Sequence, residues 1–204
     1  MNLNQSPSLA LTEALKPFQQ MGLIIRSAFL FSVLILAGCS YYLFEIQSYS
    51  NIGQNPARPI PPIEIFLIFG AVLAVSAGFI RMIGMSDTFL RQGLKRSSDA
   101  ASLAKSHKIG AVDQNLVTML SNLNHLDLRI FRVIRGSNLM MMIFLVLSEA
   151  LAILGFIYSY LSLNFENGLP FFGVSLLLQA IGYPSISKIE DRARTVARDM
   201  SFEK

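Results

Sequence analysis

The sequence predicts an all-α membrane protein: a four-span transmembrane helical bundle of two hairpins, with an amphipathic cytoplasmic helix between them. Its 204 residues are 52% hydrophobic and only 15% charged, whereas soluble domains carry about 25% charged residues. Four separate runs of about 20 mostly apolar residues are each long enough to cross a bilayer as a helix. Lys and Arg are concentrated in two of the segments outside these runs, which predicts an orientation in the membrane.

The N-terminal segment, residues 1–20, precedes the first apolar run. It has a helix-start signal at Ser6 and Pro7. Apolar residues, among them Leu9 and Leu15, follow that signal. We expect a short helix that lies in the membrane interface.

The four apolar runs have the length of transmembrane helices and cover residues 21–44, 63–83, 139–161 and 169–186. They pair as two hairpins, residues 21–83 and 137–187. The fourth run is the shortest and contains Pro184 near its end. Because proline removes a backbone donor and clashes with the preceding turn, we expect the fourth helix to kink or stop there.

The orientation follows from Lys and Arg, which favour cytoplasmic segments. Eight lie in the linker of residues 84–136 and five in the basic tail of residues 188–204. The loop of residues 45–62 contains only Arg58, and the connection before the fourth run contains none. We therefore expect the linker, the tail and both termini on the cytoplasmic side of a bacterial-type inner membrane.

The linker contains an amphipathic pattern that leads into the third span. Its apolar residues recur at helical spacing, namely Leu116, Leu120, Leu123, Ile130 and Ile134. Arg129, Arg132 and Arg135 lie three apart, and we expect them at anionic lipid headgroups. Nucleic acid is not expected as a partner, because the membrane topology already accounts for these arginines.

One cysteine, Cys39, lies in the stretch LAGCS, residues 36–40. This stretch has the form of a bacterial lipobox, in which the cysteine is lipidated and becomes the new N-terminus. The alternative is an uncleaved helix in which the thiol is buried and behaves as a small hydrophobic group. The apolar run continues to Phe44, which favours the uncleaved helix.

Small residues recur every four positions in the second span, at Gly70, Ala74 and Gly78. Such spacing lets two helix backbones approach closely in a membrane. We expect this face to be packed, either within the chain or against another copy or subunit.

No pattern typical of soluble enzymes is present, neither a Walker loop nor GxGxxG, HExxH or a nucleophile elbow. His107 and His125 are 18 residues apart without a cysteine or clustered carboxylates nearby, so we expect no metal site. We predict no catalytic residue and no cofactor.

A single carboxylate, Glu149, lies inside the third span and is costly in lipid unless it is neutral or paired. Counted at 1.5 Å per residue, it is about twelve residues from the outer end of its span, and Gln179 is about ten from the outer end of the fourth. Ser32 and Ser76 lie at similar depths. We expect one layer of polar side chains in which a protonated Glu149 bonds to Gln179 or a serine. Arg81, about five residues deeper, is the alternative partner.

The stretch around Glu149, LSEALAILGFIYSYL, resembles the carboxylate-bearing helix of the rotor-ring c subunit (proteolipid) of rotary ATP synthases. In that family a glutamate followed by a small residue and a later glycine binds the translocated ion. The matching residues here are Glu149, Ala150, Ala152 and Gly155. The resemblance covers about fifteen residues and implies ion binding at Glu149, whereas the long linker and the first and fourth spans are additional.

Two functions remain open on the sequence alone. The first is a noncatalytic subunit or accessory scaffold that packs against a membrane partner or another copy, with Glu149 as a structural residue. The second is a proton- or Na⁺-coupled protein in which Glu149 exchanges the ion.

Overall fold

The computed structural model describes residues 9–46, 62–96, 103 and 114–202, and nearly all of them are helical. Seven helices are labelled in chain order among these residues: α1 (Leu9–Tyr41), α2 (Ile63–Gly84), α3 (Asp87–Lys95), α4 (Gln114–Ser121), α5 (His125–Ser162), α6 (Leu169–Ile181) and α7 (Ile186–Phe202). A π-helical turn, Tyr42–Ile46, follows α1, and a 3₁₀ turn, Glu166–Gly168, precedes α6. The described part of the chain contains no strand, so it is all-α.

Among the described residues, three helices are long and apolar enough to cross a membrane: Ala10–Ile46, Ile63–Gly84 and His125–Ser162. The broken pair Glu166–Ile181 and Ile186–Ser201 makes a fourth if it counts as one span. These long apolar helices agree with the expectation of a membrane protein.

The chain divides into two compact units. The basic unit comprises residues 1–23, 82–140 and 184–204, and the apolar unit comprises residues 24–81 and 141–183. Of the 17 Lys and Arg residues, 14 belong to the basic unit and three to the apolar unit. Each unit has its own core and is described separately.

The core of the basic unit is formed by α3, α5, α7 and the first residues of α1. Helix α3 begins at Ser86, whose Oγ accepts a hydrogen bond from the Phe89 N–H (3.2 Å), and it packs against α7. The apolar pattern predicted for the linker is buried at Leu120, Leu123, Ile130 and Ile134; the side chain of Leu116 lies outside the described residues.

A buried ion-pair network joins α5 and α7 within the basic unit. Asp127, 2% exposed, lies in the first turn of α5, where the helix dipole favours a negative charge. Arg194 Nη2 lies 3.0 Å from Asp127 Oδ1 and 3.0 Å from Glu190 Oε1. A second pair, Arg192 with Asp87 at 3.1 Å, is exposed.

Two expected element boundaries differ in the structure. Residues 9–20 do not form a separate interfacial helix, because α1 continues through Pro17 to Tyr41. Packing on both sides offsets the hydrogen bond that proline removes: Leu15 is buried, and the Phe18 ring meets Phe131 edge-on with 5.5 Å between centroids. The helix-start signal at residues 6–7 lies outside the described residues.

The linker helix is not continuous either. It breaks between α4 and α5, where the Asn124 side chain accepts a hydrogen bond from the Asp127 N–H (2.7 Å) and thereby caps α5. From His125 onward α5 runs without interruption to Ser162, so the amphipathic segment and the third predicted span form one helix.

The apolar unit is built from α1, α2, α5 and α6 around Val33, Ala152 and Phe172. Helix α6 ends at Ile181, before the expected stop at Pro184. Gly182 adopts φ +64°, a left-handed conformation that ends the helix at once, and Pro184 disfavours helix at the residue before it. At 13 residues, α6 is about 20 Å long and shorter than the roughly 30 Å hydrocarbon core.

Candidate functional site

The candidate site is centred on Glu149 in α5, within the apolar unit. The Ser32 hydroxyl of α1 donates a hydrogen bond to Glu149 Oε1. Glu149 Oε2 is buried and has no hydrogen-bond partner among the described residues. One oxygen of the carboxyl group is thus held by a neighbouring helix, and the other remains open to accept or donate a bond.

Gln179 does not bond to Glu149, contrary to the sequence-based expectation. The side chain of Gln179 is buried, and its Oε1 and Nε2 have no hydrogen-bond partner in the described part of the chain. The reason lies in the rotation of α5. The Ser175 hydroxyl of α6 donates to the Ser148 carbonyl (2.6 Å), so the Ser148 backbone meets α6. The next residue, Glu149, is turned about 100° from it and meets α1.

Ser76, expected at the depth of Glu149, and Arg81, the deeper alternative partner, do not join the bond either. Ser76 of α2 is half-buried, and no hydrogen bond of its side chain occurs within the described ranges. Arg81 does not pair with Glu149; its Nε–H donates to the Gly182 carbonyl (2.9 Å). The structure therefore brings Ser32 to Glu149 and leaves Gln179, Ser76 and Arg81 out of that hydrogen bond.

A second arginine lies at the same turn and was not identified from the sequence. The guanidinium of Arg26 occupies the space where a side chain at Gly182 would begin. Arg26 and Arg81 therefore meet at the C-terminal end of α6, where cations interact favourably with the helix dipole and the free carbonyls. The available sequence signal was that both arginines interrupt predicted spans near their inner ends.

The predicted packing glycines have different environments. A methyl group at Gly70 would lie 2.8 Å from the Phe171 ring, and one at Gly155 would lie 2.9 Å from Phe171 Cβ, so both are covered by α6. Ala152 is fully buried and Ala74 is half-buried. Gly78 differs from them, since no atom of the described residues lies within 4 Å of the position a methyl group would take.

Cys39 is exposed on the surface of the chain, so the expectation of a buried thiol is wrong. Its neighbour Gly38 has no atom within 4 Å of the position of an added methyl group. This part of α1 thus presents small side chains outward. Lipidation at Cys39 stays a prediction.

The predicted headgroup arginines separate into two groups in the basic unit. Arg129 is exposed, whereas Arg132 and Arg135 line a cavity of about 710 Å³ together with Arg96 of α3. Arg135 lies outside the predicted span of residues 139–161, and its Nη1 donates to the Leu103 carbonyl (2.5 Å).

Within the described residues, no three His, Cys, Asp or Glu side chains come together as ligands for a metal ion. Comparison with models of known protein families, with curated proteins and with solved structures finds no match to this chain.

Proposed function

We propose that this chain is a noncatalytic subunit or accessory protein of a bacterial-type inner membrane, which spans the bilayer four times and packs against a membrane partner or a second copy. The open glycine on α2 carries the proposal. Gly78 forms a gap in the surface of α2, flanked by the exposed apolar side chains of Val75 and Phe79. Lipid chains need no such gap, whereas a second helix backbone does.

The polar groups of the apolar unit support a structural role for Glu149. Its Oε1 is used by Ser32, and the Ser148 carbonyl is used by Ser175, so α1, α5 and α6 are joined by two interhelical hydrogen bonds. Such bonds hold spanning helices together where water is absent.

The test is a co-purification experiment with Gly78→Leu. An added Cβ at Gly78 has no atom of the described residues within 4 Å, so we expect the fold to be kept while the gap is filled. Gly173→Leu is the matched control, because Gly173 on α6 is equally open. After mild detergent extraction, we expect the partner or second copy to accompany the native chain and Gly173→Leu but to be lost from Gly78→Leu. A native chain that elutes alone, or equal retention by both variants, would contradict the proposal.

An ion-coupled function is the second candidate, favoured by one observation: Glu149 Oε2 and both polar atoms of the Gln179 side chain are buried and have no hydrogen-bond partner within the described residues. A proton or Na⁺ at Glu149 would use that open oxygen, as the resemblance to the rotor-ring c subunit implies. Glu149→Gln separates the two candidates. The amide keeps an acceptor for Ser32 but cannot release a proton, so only the ion-coupled function is abolished.

A further inference from the structure

The cavity in the basic unit lies beside a close crossing of α3 and α5. A methyl group at Gly93 would lie 2.7 Å from Val133 Cγ2, and one at Gly136 would lie 3.2 Å from Phe89 Cζ. Because the two helices touch at glycines, the longer side chains next to the crossing surround a space of about 710 Å³. This volume is within the range of small-molecule sites.

The polar side of the cavity is cationic. Arg96 of α3 and Arg132 and Arg135 of α5 line it. The Arg135 Nη1 also donates to the carbonyl of Leu103, which is itself a lining residue. Arginine presents a planar fork of donors that matches phosphate oxygens, and it binds them through charge-assisted hydrogen bonds. Three such groups around one space indicate a phosphate or a similar anion as the ligand.

The other side of the cavity is apolar and favours a lipid over a free anion. Phe89 and Leu139 line it. Leu139 is 61% exposed and is the first residue of the predicted third span. A ligand with its charge at the arginines therefore has an apolar surface beside it, as a phospholipid requires. Basic pockets of this kind next to spanning helices bind anionic headgroups.

We propose that this cavity binds one anionic phospholipid, with its phosphate held by Arg96, Arg132 and Arg135 and the start of an acyl chain against Phe89 and Leu139. The proposal deepens the expected attraction of the linker arginines to lipid and rests on the proposed inner-membrane location. In place of a general attraction between the linker arginines and anionic headgroups, the proposal gives one defined binding site. Arg129 is not part of this site.

Native mass spectrometry of the full chain in a nonionic detergent tests the proposal. Phosphatidylglycerol and phosphatidylcholine are titrated separately, and the bound molecules are counted. We expect one phosphatidylglycerol per chain, bound more tightly than phosphatidylcholine. Arg96→Gln and Arg132→Gln should each weaken phosphatidylglycerol binding about tenfold, because each removes a hydrogen bond between charged groups.

Arg129→Gln is the matched control, since it removes the same charge from the same helix outside the cavity. It should leave the affinity unchanged; a loss equal to that of Arg132→Gln would overturn the site in favour of general charge attraction. Partial recovery in Arg132→Lys would show that the lost phosphate contact, rather than misfolding, causes the effect. Displacement of phosphatidylglycerol by millimolar inorganic phosphate would identify a free anion as the ligand. Binding is measured without any protein partner, so it is independent of the Gly78→Leu result.

Discussion

The hydrogen bond between Ser32 and Glu149 predicts that Ser32→Ala lowers the free energy of unfolding more than Ser76→Ala does, although both serines belong to the same predicted polar layer. Ser32→Ala removes the only hydrogen-bond partner that Glu149 has among the described residues and leaves both carboxyl oxygens without one. Ser76→Ala removes a hydroxyl that makes no side-chain hydrogen bond in the described part of the protein. The two substitutions are chemically identical and affect half-buried residues of spanning helices.

The expected magnitude follows from interhelical hydrogen bonds in membranes, which contribute about 0.6 kcal/mol on average and up to about 1.7 kcal/mol. The acceptor is a half-buried carboxyl group whose buried Oε2 has no hydrogen-bond partner among the described residues, so we expect the upper half of this range for Ser32→Ala, about 1 kcal/mol. That corresponds to about a fivefold change in the unfolding equilibrium. Ser76→Ala should change the free energy of unfolding by only about 0.3 kcal/mol or less, as expected where no specific contact is lost.

Reversible unfolding in mixed detergent micelles measures these free energies, and a double-mutant cycle with Glu149→Gln isolates the pair. Glu149→Gln alone should be nearly silent, because the amide oxygen still accepts from Ser32. The reasoning would be refuted if Ser32→Ala were silent, or if Ser76→Ala cost as much.

Three further predictions concern other parts of the chain. Asp127→Asn should lower the free energy of unfolding by about 2 kcal/mol, because it breaks the ion pair with the half-buried Arg194 and leaves that arginine paired with Glu190. Asp87→Asn breaks the exposed ion pair with Arg192 and should lower it by under about 0.5 kcal/mol in the same unfolding assay. Gly182→Ala should lower the free energy of unfolding by about 1 kcal/mol or more, because Gly182 has a positive φ that alanine rarely adopts. Thermal unfolding checks this: Gly182→Ala should lower the melting temperature more than Gly173→Ala does. The intact chain should keep Met1 and carry no diacylglycerol by mass spectrometry, because cleavage before Cys39 would remove Ser32 and the buried Val33; a mass without residues 1–38 would show that LAGCS is processed.

Depth along a helix was predictable from the sequence, but rotation about the helix axis was not. Counting residues placed Ser32, Gln179 and Glu149 at one level, and Ser32 does bond to Glu149. The count also favoured Gln179, which makes no hydrogen bond to Glu149. The hydrogen bond between Ser175 and the Ser148 carbonyl shows how α5 is turned, and counting residues along the sequence of α5 does not predict that rotation.

Helix existence was predictable because long apolar runs have few alternatives in a membrane, whereas helix ends depended on local contacts. The stop of α6 at Ile181 results from the left-handed Gly182, although Pro184 was the stronger sequence signal. The continuity of α1 through Pro17 depends on tertiary packing at Leu15 and Phe18, which no local pattern contains.

The short helix α6 is the part of the proposed topology that most needs a direct measurement. Four spans with both termini inside require that α6 and the residues around it cross the bilayer, although α6 itself has only 13 residues. Reporter fusions after Gln54, after Ser86, after Asn167 and at the C-terminus determine the side of each segment. The account predicts that the fusions after Gln54 and Asn167 are exported and that those after Ser86 and at the C-terminus are cytoplasmic. An exported C-terminus would show three spans, and a cytoplasmic Gln54 would contradict the first hairpin.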